Sequence, residues 1–249
     1  IPSAPTLSMN AGQTYTFTLK QGEIFNMLGQ EDESGNNVFT GSDLTGTIVR
    51  SKSINGNCKR IAVFSGAGKI MISCGSSSQN SSDNYMVQAF PKNAWGKYFL
   101  TVPTKTMESN FFRIGVQDAS TVVKVNGVVQ NGLTGGFYYQ LNQVNAPTVI
   151  ESDKPIMVAQ YITTQNSCGN SVSQNLGDPE VIYLSPVEQN INKVILNSTP
   201  NSSIVSHYLN VVIPNGGTAL SSFKIDGING GGFITHPWNS KYSYLQLQV

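Results

Sequence analysis

The residues with the clearest chemical potential are three cysteines, Cys58, Cys74 and Cys168. If the strands on either side of Gly66 pair as a hairpin, Cys58 and Cys74 face each other across it. Directly opposed residues that are not hydrogen-bonded have Cα atoms about 4.5 Å apart, which is within the disulfide range. We therefore predict a Cys58–Cys74 disulfide; the alternative is a pair of unbonded core thiols. Cys168 is then left free or bonded outside the sequence.

Other chemistry finds little support in residue spacing. The two histidines, His207 and His236, and the cysteines do not reach the spacing of zinc ligands. No nucleophile elbow, phosphate loop or dinucleotide fingerprint is present. Glycoside hydrolysis would require a cleft that gathers acids such as Asp178, Glu180 and Glu188. Nothing singles out such a pair, so we predict that the chain is not an enzyme and needs no cofactor.

Calcium is the one metal that the sequence raises. Four acidic residues, Glu31, Asp32, Glu33 and Asp43, concentrate oxygen ligands in one segment. Their spacing does not match an EF-hand, and runs of charge usually face water. They are weak calcium candidates, and a solvated acidic turn is the alternative.

Composition narrows the class of protein. Charged residues make up 12% of the 249-residue chain and its net charge is +1, so no broad field favours nucleic acid or an anionic membrane. No apolar stretch approaches the ~20 residues that span a bilayer. A surface rich in Gly, Ser, Thr, Asn and Gln is typical of exported β-proteins. We expect an exported protein of which this sequence is a fragment.

Period-two alternation predicts an all-β fold. Turn dipeptides such as Asn126-Gly127 and Asp226-Gly227 separate the alternating runs, and the first of these predicts a two-residue hairpin turn. The clearest runs are residues 14–19, 111–116, 121–125 and 242–249.

An internal repeat organises these strands. Its blocks recur in the same order about one hundred residues apart, a period that suits a β-sandwich better than a solenoid. Residues 47–51, 60–64, 88–91, 97–103, 111–116 and 124–127 return as 148–152, 155–161, 183–186, 193–200, 207–212 and 224–227. We predict two tandem β-sandwich-like modules, residues 1–133 and 134–249, closely packed and able to share strands. The second is expected to be truncated at its C-terminus.

Two long polar segments, residues 75–84 and 163–178, occupy equivalent places in the repeat. They are either tolerated loop length or a pair of binding loops on a rigid scaffold. The only tryptophans, Trp95 and Trp238, could stack on sugar faces, but burial in the structure is the favoured interpretation.

Three blocks in order resemble the N-terminal domain family of the IgG Fc-binding protein of mucus. They are residues 43–47 leading to 61–66, Trp95-Gly96-Lys97, and residues 177–180 leading to 183–189. The resemblance runs from about Leu19 to the C-terminus.

The resemblance implies an exported binding domain, and the Asn- and Ser-rich composition favours the bacterial surface-protein members. We predict a non-enzymatic extracellular adhesion module that engages a glycan or protein through polar loops. The alternative is a structural spacer or cap of a larger adhesin or motility-associated protein. The resemblance provides no binding residues that can be assigned to positions of this chain, so Fc binding here would rest on analogy alone.

Overall fold

The computed structural model describes residues 7–32, 40–53, 55–56, 59–74, 82–107, 109–165, 167–168, 179–197, 199 and 206–249. The chain divides into two compact units, Ile1–Leu44 and Thr45–Val249. The described residues confirm the all-β prediction, because β-strands form most of the regular structure. Helical structure in this part of the chain is confined to α1 (Ala219–Ser222) and two 3-10 turns, Lys92–Ala94 and Val187–Gln189.

The first unit contains a single described hairpin. Strand β1 (Glu31–Asp32) pairs with β2 (Thr40–Gly41) in antiparallel register. The rings of Phe17 and Phe25 stack with centroids 4.2 Å apart. Residues 14–19 form no strand, contrary to the prediction from their alternation. A strand requires a partner ladder, and alternation in sequence does not supply one.

The second unit is built on a seven-stranded sheet. Its strands are β5 (Gly96–Thr101), β6 (Asn110–Val116), β7 (Val123–Val125), β8 (Val128–Val129), β9 (Tyr138–Val144), β10 (Thr148–Ile162) and β11 (Glu180–Tyr183). The order β8-β7-β10-β6-β9 forms its main path, and β5 and β11 also pair with β10.

Strand β10 holds this sheet together. Residues 148–152 pair with β5 and β7, and residues 156–162 pair with β6, with β11 and, at Ile156, once more with β5. The register shifts between Glu151 and Ile156, where Pro155 lies. Proline cannot donate to a ladder, so a break in pairing at this point is expected. One 15-residue strand thereby serves four partners.

The buried core belongs to the same strands. Its members come from β5, β6, β7, β9 and β10 and pack as one cluster: Phe99, Phe112, Ile114, Val116, Val123, Tyr139, Ile150, Ile156 and Val158. These residues alternate along β6 and β10 with residues of the opposite face, as a pleated sheet requires.

Strands β3 (Phe64–Ile70) and β4 (Asp83–Gln88) form a separate antiparallel pair. Gly66 lies inside β3, opposite Met86, so the predicted hairpin around Gly66 was wrong. A Cβ at Gly66 would collide with the backbone of Tyr85. The glycine therefore permits close approach of two strands and does not form a turn.

The C-terminal strands form two small sheets. Strand β12 (Tyr208–Pro214) pairs with β16 (Tyr242–Gln248), which also pairs with β15 (Ile234–Thr235). Strands β13 (Lys224–Ile225) and β14 (Ile228–Asn229) form a hairpin.

Both predicted Asn-Gly and Asp-Gly turns occur as two-residue hairpin turns. Asn126 and Gly127 have φ of 50° and 81°, and Asp226 and Gly227 have φ of 51° and 83°. Positive φ at both central residues matches the right-handed twist of the strands they join.

The predicted module boundary after residue 133 falls inside the second unit. Strands β5–β8 precede it and β9–β11 follow it, yet all seven belong to one sheet. This topology does not confirm two tandem modules. One correspondence agrees with the repeat. Both residues of the pair Phe64↔Gln88 lie 95 positions before the equivalent residues of the pair Ala159↔Tyr183.

Candidate functional site

The two polar segments are joined at their bases by a disulfide. Cys74 follows β3 and bonds to Cys168, with Cα atoms 4.9 Å apart. Two residues before Cys74, the Ile72 carbonyl accepts a hydrogen bond from the Thr164 amide at 2.9 Å. The Ile72 amide donates to Thr164 Oγ1 at 2.8 Å. The segments predicted as binding loops therefore begin side by side.

This bond corrects the predicted pairing. Cys74 bonds to Cys168, the residue predicted to be left over, and a cysteine forms only one disulfide. The prediction assumed a hairpin around Gly66, and β3 pairs instead with β4. Cys58 lies outside the described residues.

The base of the second segment is firmly packed. Thr163, Thr164 and Ser167 are buried, and the Ser167 amide donates to the Thr164 carbonyl at 3.1 Å. Residues 75–81 and 169–178 lie outside the described residues. The structure describes the joined ends of the two segments, a platform formed by Ile72, Cys74, Thr163, Thr164, Ser167 and Cys168.

A cluster of aromatic rings surrounds Arg113. Two of its residues lie next to the polar segments in sequence. Arg113 on β6 lies over the Tyr138 ring, with 4.6 Å from Cζ to the centroid, and 6.0 Å from the Tyr161 centroid. Tyr161 meets Tyr85 edge to face at 6.5 Å. Tyr161 is two residues before the 163–178 segment, and Tyr85 directly follows 75–84.

Hydrogen bonds fix the Arg113 guanidinium. Its Nε donates to Gln140 Oε1 at 3.0 Å and its Nη1 donates to Thr45 Oγ1 at 2.8 Å. Aromatic faces beside an oriented cation can stack on sugar rings and accept or donate polar contacts with a protein surface. The sequence analysis missed this cluster. Its one signal was a single charge within the apolar run of β6.

The two described carboxylates that were candidates for glycoside hydrolysis accept hydrogen bonds from backbone amides. Glu188 Oε1 accepts a hydrogen bond from the Lys97 amide at 2.8 Å, and Glu180 Oε1 accepts from the Val181 amide at 2.8 Å. Both glutamates are exposed. Asp178 lies outside the described residues.

The acidic segment is described in part. Glu31 and Asp43 are exposed, whereas the side chain of Asp32 and all of Glu33 lie outside the described residues. Among described residues, no three His, Cys, Asp or Glu side chains gather as a metal site. Calcium binding by this segment stays a prediction.

The two tryptophans differ in environment. Trp95 is half-buried, and its Nε1 donates to the Phe90 carbonyl at 3.4 Å. Trp238 is 54% exposed, so the expectation that both are buried was wrong for this residue. It lies within a tight turn that begins at the buried His236, whose Nδ1 accepts a hydrogen bond from the Trp238 amide, and its ring faces solvent.

His236 makes stability depend on pH. Its Nε2 is 3.4 Å from the Thr101 carbonyl oxygen, and its Nδ1 accepts from the Trp238 amide. Burial lowers the pKa of His236 below its usual 6.5, and the hydrogen bond to Thr101 opposes this only in part. The unfolded chain therefore binds the proton more readily, so this stability is present above about pH 6.5 and is lost as pH falls through the folded pKa.

We expect His236→Gln to flatten the fall in stability between about pH 8 and pH 5, measured by urea unfolding at each pH. His207→Gln is the matched control and should keep the dependence of the unchanged chain. Equal slopes for the two variants would contradict this account.

Two of the sequence blocks that carry the family resemblance contact each other. A Cβ at Gly96 would collide with the Pro186 ring, and Glu188 bonds the neighbouring Lys97 amide. A Cβ at Gly46, which has φ of 96°, would collide with the Phe137 ring. The motif residues thus hold segments of the second unit together, which explains their types without a ligand.

A comparison with protein-family models matches the model described as IgGFc binding protein over residues 1–249. The chain belongs to the IgGFc-binding family. No curated protein and no solved structure matches it.

Membership of the IgGFc-binding family agrees with the chemistry of the site. Disulfides form in oxidising compartments, so the Cys74–Cys168 bond fits the extracellular setting of the family. Within the described part of the chain, no helix has the length and apolar character needed to span a bilayer.

Proposed function

We propose that this chain is a non-enzymatic extracellular binding module of a bacterial surface protein. It engages a glycan or an extracellular protein through the loops at residues 75–84 and 163–178. The observation that supports this most is the Cys74–Cys168 bond, which fixes the bases of two polar segments next to each other. Holding two loops in place before binding reduces the ordering cost of forming a complex.

The aromatic cluster around Arg113 supplies a contact chemistry. Tyr85 and Tyr161 lie on β4 and β10, the strands that adjoin the two loops in sequence. Arg113 and Tyr138 lie on β6 and β9, and the Arg113 cation reaches the Tyr161 ring from there. Rigid aromatic rings with a polar end are enriched where proteins meet ligands. The family description makes the Fc part of immunoglobulin G one candidate protein ligand.

The direct test is binding of the purified 249-residue chain to glycan and extracellular-protein arrays that include immunoglobulin Fc, with and without calcium. We expect a specific ligand. Replacing residues 76–81 or 170–176 by Gly-Ser sequence of equal length should abolish its binding. Arg113→Ala should weaken it by about tenfold, corresponding to roughly 1.4 kcal/mol.

Lys124→Ala is the matched control. Lys124 is an exposed cation on β7, 4.0 Å from Glu151, and its removal changes the net charge as Arg113→Ala does. Unchanged binding in both loop variants would place the site elsewhere. A folded chain that binds nothing on the arrays would favour the spacer or cap.

A further inference from the structure

Strand β12 is the counterpart of β6, but among the described strands it pairs with one neighbour only. In the seven-stranded sheet, β6 lies between β9 and β10. Strand β12 pairs with β16 in the way that β6 pairs with β9, and no described strand covers its other edge. An uncovered edge presents backbone donors and acceptors to any incoming strand.

The segment that corresponds to part of β5, residues 193–196, is also uncovered. Residues 97–100 repeat as 193–196, so Phe99 corresponds to Ile195. Phe99, on the strand that pairs with β10, is 1% exposed, whereas Ile195 is 89% exposed. Val194 and Leu196 are also exposed, and no strand forms here among the described residues. No described strand lies beside these residues as β10 lies beside β5.

The chain carries such a strand near its other end. Strand β3 pairs with β4 in the register in which β10 pairs with β11, and its second edge carries no described strand. Upstream, residues 47–51 repeat as 148–152, the part of β10 that pairs with β5 and β7. Ile48 is 66% exposed, while its counterpart Val149 is buried.

We propose that these two surfaces bind each other between copies of this chain. Residues 47–51 and β3 of one copy lie along residues 193–197 and β12 of a second copy. The contact reproduces between chains the pairing of β10 with β5 and β6. We call residues 47–51 with β3 the donor surface, and residues 193–197 with β12 the acceptor surface. Because these two surfaces are different, the association is head to tail and can extend to further copies.

Two substitutions separate the surfaces. Ile48→Asp places a charge on the donor surface, and Ile195→Asp places one on the acceptor surface. Both side chains are exposed, so neither change should disturb the folded monomer. Burying an unpaired carboxylate in the contact should weaken association by about a hundredfold or more. Ile24→Asp, at a side chain 91% exposed in the first unit, is the matched control.

The measurement is sedimentation velocity of the 249-residue chain from about 1 to 100 μM, a range that detects micromolar association. The unchanged chain and Ile24→Asp should form species larger than the dimer as concentration rises. Ile48→Asp and Ile195→Asp should each stay monomeric. An equimolar mixture of these two variants should form dimers and stop there, because only one intact donor and one intact acceptor can meet.

A monomeric unchanged chain at every concentration would overturn the proposal. So would association that survives Ile48→Asp, since a two-fold contact between acceptor surfaces would behave in that way. A mixture that forms no dimer would also overturn it. The result is independent of the ligand arrays, because no ligand is present.

Discussion

Removal of the Cys74–Cys168 bond should lower the free energy of unfolding by about 4 to 5 kcal/mol, because the bond closes a loop of nearly one hundred residues. The separation of the two cysteines is 94 residues. Cys74→Ser and Cys168→Ser should each show this loss in urea unfolding. Their combination should add little, since either change breaks the same bond.

Cys58→Ser is the control and should leave this stability in place. Peptide mapping without reductant identifies the partners directly, and we expect one cross-linked peptide pair that contains Cys74 and Cys168. A Cys58–Cys74 peptide would restore the pairing predicted from sequence and contradict the structure.

Cutting the chain before β9 should abolish folding of the seven-stranded sheet. A fragment of residues 45–133 keeps β5–β8 but loses β10, which pairs with three other strands of the sheet's N-terminal part. The fragment also lacks β9, and with β9 and β10 it loses four core side chains: Tyr139, Ile150, Ile156 and Val158. We expect no cooperative unfolding transition from this fragment.

A fragment of residues 45–190 is the matched comparison. It keeps all seven strands and both cysteines of the disulfide. It should unfold cooperatively by circular dichroism and by tryptophan fluorescence with coincident transitions. Cooperative unfolding of residues 45–133 alone would support a first module that folds by itself.

Local features of this fold were predictable from sequence. The Asn126-Gly127 turn depends on two adjacent residues that tolerate positive φ, so its signal is complete within the sequence. The alternation of residues 111–116 and 242–249 likewise predicted β6 and β16. In both cases the pairing partner is near in sequence or the buried face is strongly apolar.

Features that depend on distant partners were not predictable. The Cys58–Cys74 prediction placed a hairpin turn at Gly66, whereas residues 64–70 form one strand that pairs with β4, and Cys74 bonds to a cysteine 94 residues away. The Arg113 cluster unites β4, β6, β9 and β10, and no spacing rule connects those positions. Trp238 is exposed within the turn that begins at His236, an arrangement that depends on the fold around that turn.

The position of the disulfide also determines how the chain can carry a mechanical load. Strands β4 to β10 lie between Cys74 and Cys168, so tension applied at the two ends of the chain passes through the sulfur–sulfur bond and bypasses them. The 94 bypassed residues would otherwise extend by roughly 310 to 340 Å. Under oxidising conditions a pulled chain therefore cannot extend by that length. Stretching cannot unfold most of the core sheet strand by strand while the disulfide is intact.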